Sequence, residues 1–439
     1  MTGSWVPMTY GQLSLLRSEQ TLRPEARGMV QILHLWQLPS TTIDHVNLAL
    51  TTLARRHEAL RTIFDLDNAL PQQLVRESEP VRAGIIETNA RSWPEATEAA
   101  RHLAAEPFDL QSHPGWSCAV LRDQSGSLNY LAVALHHMVA DQWSQELLKE
   151  QFLELLTSGP PEAAPDTLQP RELALLQRSS AWHGRRSGAV TYWEQVMDTL
   201  PPPEGPTRPA LGVVADRISA TLSYPELRAN INEVARLTAS SPQSVVVALL
   251  LVVMSRVPIP QSEPLMLMTA NRFDKRWRGI VTTMNQVVPM PRFDHPADET
   301  FSGYVQRVHW AGQRALRHGS YDVDAIADLT RKRRGHEFAS SNIINYVAPD
   351  ADTEFRPGAT SPIVPEDVGV QPAAWQVGLT MDVRVHGRNQ LAIDFRVMTD
   401  HIGPASLRAI VAWLDRQLHT LADSGAERPM SSLLEEANW

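Results

Sequence analysis

His136-His137-Met138-Val139-Ala140-Asp141-Gln142-Trp143-Ser144 stands between two differently patterned stretches, and its reading decides how the chain is built. Upstream, Leu131, Val133 and Leu135 alternate with smaller residues, the period-two pattern of a buried strand ending at the histidine pair. Downstream, Leu147, Leu148, Phe152, Leu155 and Leu156 recur at helical spacing, which puts Asp141 near the first turn of a helix. Strand-to-helix junctions are frequent places for chemistry, because a loop held by a rigid scaffold presents its side chains.

Three readings of this string compete. Two imidazoles and a carboxylate are good ligands for zinc or iron, but neighbouring strand residues point to opposite faces, so His136 and His137 do not readily chelate one ion. The chain has no His-Glu-x-x-His segment and a single cysteine, Cys118, which leaves the remaining ligands unsupplied. In the second reading one histidine is a packed core residue and Asp141 caps the helix, stabilising it by roughly 1 kcal/mol. In the third, one imidazole faces a cavity as a general base, the other packs behind it, and Asp141 holds the backbone. Histidine suits that task because its ordinary pKa lies near neutrality.

A second string separates these readings. Arg56-His57-Glu58-Ala59-Leu60-Arg61-Thr62-Ile63-Phe64 follows a helical stretch carrying Ile43, Val46, Leu48, Leu50 and Leu53. Together with HHMVADQWS it resembles the condensation domains of nonribosomal peptide synthetases, whose pattern is RHExLRTxF followed by HHxxxDG. The first motif is matched in full; the second is matched except at its last position, where Gln142 replaces glycine. Supporting likenesses follow in order: MTYGQLSLLR at Met8 to Arg17, TYWEQVMDTLP at Thr191 to Pro201, VTTMNQVVPMPR at Val281 to Arg292, SNIINY ending at Asn345 and Tyr346, and LAIDFRVMTDHIGPASLRAIVAWL near the C-terminus.

Mixed helical and strand patterns in both halves predict a two-lobe α/β (α+β) protein. The proline clusters Ser158 to Pro170 and Pro201 to Pro206 place a boundary between Thr157 and Thr207; the expected lobes are residues 1–175, carrying HHxxxD, and 176–439. The resemblance implies chloramphenicol-acetyltransferase-like lobes in a V-shaped pseudo-dimer, with the HHxxxD segment in a central tunnel. It also implies an acyl or aminoacyl donor held as a phosphopantetheine thioester on a carrier protein, an amine or alcohol acceptor, an amide or ester product, and no bound cofactor or metal.

Residue by residue, the resemblance makes His137 the group beside the attacking amine or hydroxyl, as general base or orienting partner. His136 supports the loop, and Asp141 pairs with Arg61. Gln142, Asn285 and Asn345 are substrate-binding candidates, with local backbone bonding the plainer reading for the two asparagines. At the family's glycine position Gln142 either adds a side chain to the tunnel or points away from it. Trp143, Trp375 and Arg276-Trp277-Arg278 are assigned no catalytic role.

Composition sets further limits. A chain of 439 residues is long enough for more than one domain. A formal net charge of −9 without a basic run interleaved with aromatics argues against nucleic acid. The longest apolar stretch, Val245 to Met254, is about half the roughly 20 residues a membrane span needs, and reads as a buried helix. No signal-type N-terminus is read, and one cysteine forms no internal disulfide, so the cytoplasm is the expected compartment. No carrier serine motif, adenylation-type phosphate loop or Gly-x-Ser-x-Gly elbow is read, which gives the expectation of a free-standing condensation enzyme acting in trans. Two other functions stay open: a non-catalytic recruitment module that binds a carrier protein or tailoring enzyme, and an acyltransferase using acyl-coenzyme A.

Overall fold

The computed structural model describes residues 3–22, 28, 30–90, 92–159, 167–203, 216–294, 296, 298–337, 342–347, 370–372, 381–386 and 391–439; Trp375 lies outside them. Two compact units divide the chain: Met1–Arg186 with Ala270–Gln286, and Ser187–Thr269 with Val287–Trp439.

The first unit contains β1 (Val6–Pro7), α1 (Tyr10–Glu19), β2 (Gln31–Gln37), α2 (Ile43–Arg56), β3 (Thr62–Asp65), β4 (Gln72–Val75), β5 (Gly84–Glu87), α3 (Trp93–Ala100), β6 (Trp116–Arg122), β7 (Leu128–His136), α4 (Gln142–Ser158) and α5 (Pro170–Arg178). Two sheets form, in the orders β1-β4-β3 and β2-β7-β6-β5. Strand β7 lies inside the second, antiparallel to β2 with His136 opposite Gln31, and antiparallel to β6 with Leu135 opposite Trp116.

The alternation along β7 sorts its side chains to two layers. Leu131, Val133 and Leu135 pack with Val46, Leu50 and Leu53 of α2 and Leu148, Phe152 and Leu155 of α4, while Ala132 packs with Ala96 and Ala100 of α3. Both predicted helices form here. Leu48 of α2, read as part of its apolar stripe, is more than half exposed. Helix α1 begins with a capping box in which Thr9 and Gln12 satisfy each other's backbone amides.

Helix α6 (His183–Thr199) runs across the division between the units. Beyond it come β8 (Asp216–Leu222), α7 (Leu227–Leu237), α8 (Pro242–Arg256), β9 (Leu265–Thr269), β10 (Gln286–Pro289), α9 (Phe301–Arg317), α10 (Val323–Arg334), β11 (Asn342–Val347), β12 (Val370–Pro372), β13 (Met381–His386), β14 (Ala392–Met398), α11 (Pro404–Ser424) and α12 (Met430–Glu436). Seven strands make one sheet, in the order β10-β9-β11-β13-β14-β8-β12, with β11 parallel to both neighbours and β14 antiparallel to both of its own. The apolar run Val245 to Met254 is helix α8, capped by Ser241 and buried along nearly its whole length, as a helix that is apolar all round must be. No single helix among the described residues is long and apolar enough to cross a membrane.

The division differs from the 1–175 and 176–439 expected from the proline clusters. The first unit extends to Arg186 and also takes residues 270–286 from far along the chain. Burial explains the exchange. Trp277, Ile280 and Met284 pack with Tyr10, Leu173 and Trp182, and Val281 joins the core under β7.

Candidate active site

The start of the histidine turn is tied to the residues that precede β6 and β2. The His136 amide donates to the Gly115 carbonyl at 2.8 Å, and the His137 amide donates to the Val30 carbonyl at 2.7 Å. The chain then turns, with the Val139 amide on the His136 carbonyl at 2.9 Å. His136 is buried; its Nδ1 accepts from the Met138 amide at 3.1 Å, and its Nε2 lies 3.6 Å from the Glu19 carboxylate. His137, one residue on, is half-buried.

Asp141 is fully buried and does two things at once. It caps α4: its Oδ1 accepts from the Ser144 amide at 2.9 Å, as the plain helix-cap reading requires. It also pairs with an arginine, but that arginine is Arg272. One Arg272 Nη2 lies 2.8 Å from Oδ1 and 3.0 Å from Oδ2, while the Met284 amide donates to Oδ2 at 3.0 Å. Ser144 Oγ lies 2.7 Å from Oδ1 and 2.8 Å from the Thr282 carbonyl, donating to one of them at a time, and accepts from the Thr282 amide at 3.1 Å. The other Arg272 nitrogen donates to the Trp277 and Ile280 carbonyls, each at 2.9 Å. These bonds satisfy most of the donors and acceptors of the buried charge pair, Arg272 Nε alone among the guanidinium nitrogens finding no partner among the described residues.

The expected pairing of Asp141 with Arg61 is therefore corrected. Arg61 is half-buried, and its guanidinium donates to the Arg76 carbonyl at 2.6 Å. The remainder of its motif ties the first unit together. His57 Nε2 lies 2.9 Å from Gln151 Oε1 on α4 and donates to it; burial pushes the imidazole down to about 4, so the ring is neutral at ordinary pH. Glu58 meets Arg171 of α5 at 3.1 Å, and burial raises its carboxyl above the usual carboxylate range.

Gln142 is the first residue of α4, and its side chain is exposed. Its backbone is not among the positive-φ positions, so the local chain path does not require the family's glycine. Asn285 is half-buried and follows Met284 in the first unit; Asn345 is half-buried on β11, opposite Arg384, in the second. The structure thus gathers His136, His137, Asp141, Gln142 and Asn285 in one unit and puts Asn345 in the other.

Sequence reasoning missed Arg272, Ser144 and Asn271. Asn271 has φ 54°, a left-handed conformation that asparagine tolerates better than most residues, and its Nδ2 donates to the Met284 carbonyl at 2.8 Å. That turn delivers Arg272 to Asp141. An asparagine directly after the apolar strand Leu265–Thr269 and Ala270 was the available signal, but nothing in the sequence names the partner of a buried arginine.

Chemically, Asp141 is committed to its donors, while His137 on the same turn keeps a half-buried imidazole. Cys118 on β6 is pushed up to about 12 by burial, so its thiol stays protonated near neutral pH and is no thiolate nucleophile. Among the described residues no three metal-ligating side chains are grouped.

A family profile described as Condensation domain matches residues 28–372. The nonribosomal peptide synthetase kk1B of Curvularia clavata is 31% identical over 169 residues, 37% of this chain and 1% of that protein. Phosphinothricin tripeptide synthetase PhsC of Streptomyces viridochromogenes is 33% identical over 171 residues, 37% of this chain and 16% of the synthetase. The chain spans only a small part of the length of these relatives. Among solved structures, the condensation domain from the monacolin K polyketide synthase MokA has a TM-score of 0.73 at 15% identity, covering 98% of this chain and 100% of that one. At that identity the likeness shows the fold alone, the two-lobe chloramphenicol-acetyltransferase-like fold.

Proposed function

This chain belongs to the Condensation domain family, and we propose that it transfers an acyl or aminoacyl group from a phosphopantetheine thioester on a carrier protein to an amine or alcohol, forming an amide or ester in natural-product assembly. The observation that carries this reading is the histidine turn. His137 is half-buried at the end of β7, on a backbone anchored by the amides of His136 and His137 and followed by an Asp141 held by Arg272. Such rigidity suits a group that must meet a reacting atom within a few tenths of an ångström.

In this reading the acceptor nitrogen or oxygen attacks the thioester carbonyl, the carbon–sulfur bond breaks, and the pantetheine thiolate leaves. His137 accepts the acceptor's proton or orients its lone pair, and the proton returns to the leaving sulfur. For an alcohol, proton removal matters more, because a neutral hydroxyl is the weaker nucleophile. Arg61 supports the motif from the β4 side, and Asn285 and Asn345 remain candidates for binding substrate or the pantetheine arm. Gln142, exposed at the start of α4, is available to an acceptor. No bound cofactor or metal enters the transfer.

The test is product formation by the purified protein given acyl-loaded carrier protein or acyl-coenzyme A and panels of amines and alcohols, with His137→Ala alongside. We expect product with the carrier donor and a loss of about 10²–10⁴-fold in His137→Ala. Equal rates from the two proteins would remove His137 from the mechanism. Carrier binding without product from any donor would favour a recruitment module.

A further inference from the structure

We propose that Glu19, the last residue of α1, is a positioning residue that selects the tautomer of His136 and through it sets the turn bearing His137. The inference rests on the reading of His137 given above and adds a residue that neither motif contains. His136 Nδ1 accepts from the Met138 amide at 3.1 Å, so that nitrogen carries no proton and the ring hydrogen sits on Nε2. Nε2 lies 3.6 Å from Glu19 Oε2, with the His136 side chain 4% exposed and the Glu19 side chain 19% exposed. The separation exceeds a direct hydrogen bond, but a small rotation of the Glu19 side chain closes it. A carboxylate there favours the Nε2–H form of the ring.

The other tautomer would set an Nδ1–H donor against the Met138 N–H donor. That contact would lose its hydrogen bond inside a buried turn, where an unsatisfied donor is costly, and the turn would have to move. His137 lies between the two partners of this contact, so displacement of Met138 displaces His137 as well. Glu19 thus acts on the proposed base through one ring and one amide, without touching substrate.

A cleft of about 170 Å³ opens onto this pair, lined by Glu19, Gln31, Leu66, Phe108, Asp109 and His136 among others. The Asp109 carboxylate accepts the Gln111 and Ser112 amides, and the carboxylate paired with the His136 ring is that of Glu19. The cleft is much larger than one water needs, so a small carboxylate can enter it when the Glu19 side chain is removed.

The experiment uses the whole protein with ¹⁵N-labelled histidine, read by two-bond nitrogen–proton correlation, with transfer kinetics in parallel. Wild type is expected to show His136 as the Nε2–H tautomer. Glu19→Ala should give a tautomer mixture and lower kcat by about ten- to a hundredfold at unchanged acceptor KM. Glu19→Gln, whose amide oxygen still accepts from Nε2–H, should keep the tautomer and most of the rate, and acetate should partly rescue Glu19→Ala where chloride at equal ionic strength does not. A wild-type tautomer pattern in Glu19→Ala, or a loss that neither glutamine nor acetate restores, would overturn the proposal. If Glu19→Ala does not fold, Glu19→Asp withdraws the charge by one methylene and should show the same tautomer shift. If wild type transfers nothing, the proposed function fails, while the nitrogen spectrum still decides the role of Glu19.

Discussion

At the scale of single residues, Asp141 shows how one carboxylate serves both local and distant structure. Its Oδ1 caps α4 three residues on, while the Arg272 guanidinium and the Met284 amide come from far along the chain. The cap was legible in the sequence, because an aspartate before an apolar-periodic run is a local signal. The ion pair was not, because burial of a charge depends on what the rest of the chain brings to it. Two arginines can therefore be told apart by stability. Arg272→Ala leaves Asp141 buried without its counter-charge and should destabilise by about 3–5 kcal/mol. Arg61→Ala removes one bond to the Arg76 carbonyl and should cost about 1 kcal/mol. Chemical denaturation of both variants checks the order; equal losses would contradict it. If Arg272→Ala does not fold, Arg272→Lys, which keeps the charge but not the planar fork, should still lose more than Arg61→Ala.

Among elements, β7, α2, α4, β14 and α11 were legible as periodic patterns, because each is organised by which face it buries, and α8 was legible as an unbroken apolar run. The segment 270–286 was not. It is mostly irregular, and its importance comes from where it packs. Helix α1 runs so close to it that a Cβ added at Gly11 would lie 2.5 Å from the Thr283 carbonyl oxygen and 2.7 Å from Met284 Cα. Gly11→Ala should therefore push backbone against backbone and cost about 1–3 kcal/mol. Gly184→Ala on α6, where an added Cβ meets nothing within 4 Å, should instead stabilise by roughly 0.5–1 kcal/mol through reduced unfolded-chain entropy. Thermal melts of the two variants should move in opposite directions; a shared direction would mean that the packing of α1 does not set the first.

For the whole molecule, buried titratable groups make stability depend on pH. Burial lowers His57 to about 4 from 6.5, and lowers His34 as well. Between these pH values the unfolded chain binds a proton on His57 that the folded protein excludes, so stability present above about 6.5 falls as pH drops toward 4. By about pH 5 the His57 contribution amounts to roughly 2 kcal/mol. Glu58, raised by burial, acts with the opposite sign, so the comparison must isolate His57. His57→Gln, which keeps a donor for Gln151, should lose less melting temperature between about pH 7 and about pH 5 than wild type, and an equal loss would assign the dependence elsewhere. The two-lobe fold class, the strand–turn–helix carrying His137 and the membership of the Condensation domain family were all determined by sequence alone, because periodicity, capping residues and the two motifs are local in the chain. Only the tertiary structure decided that Arg272 rather than Arg61 holds Asp141, that residues 270–286 join the first unit, and that Gln142 is exposed. Each of these depends on contacts between residues remote in sequence, where burial and hydrogen-bond satisfaction, not pattern, choose the partner.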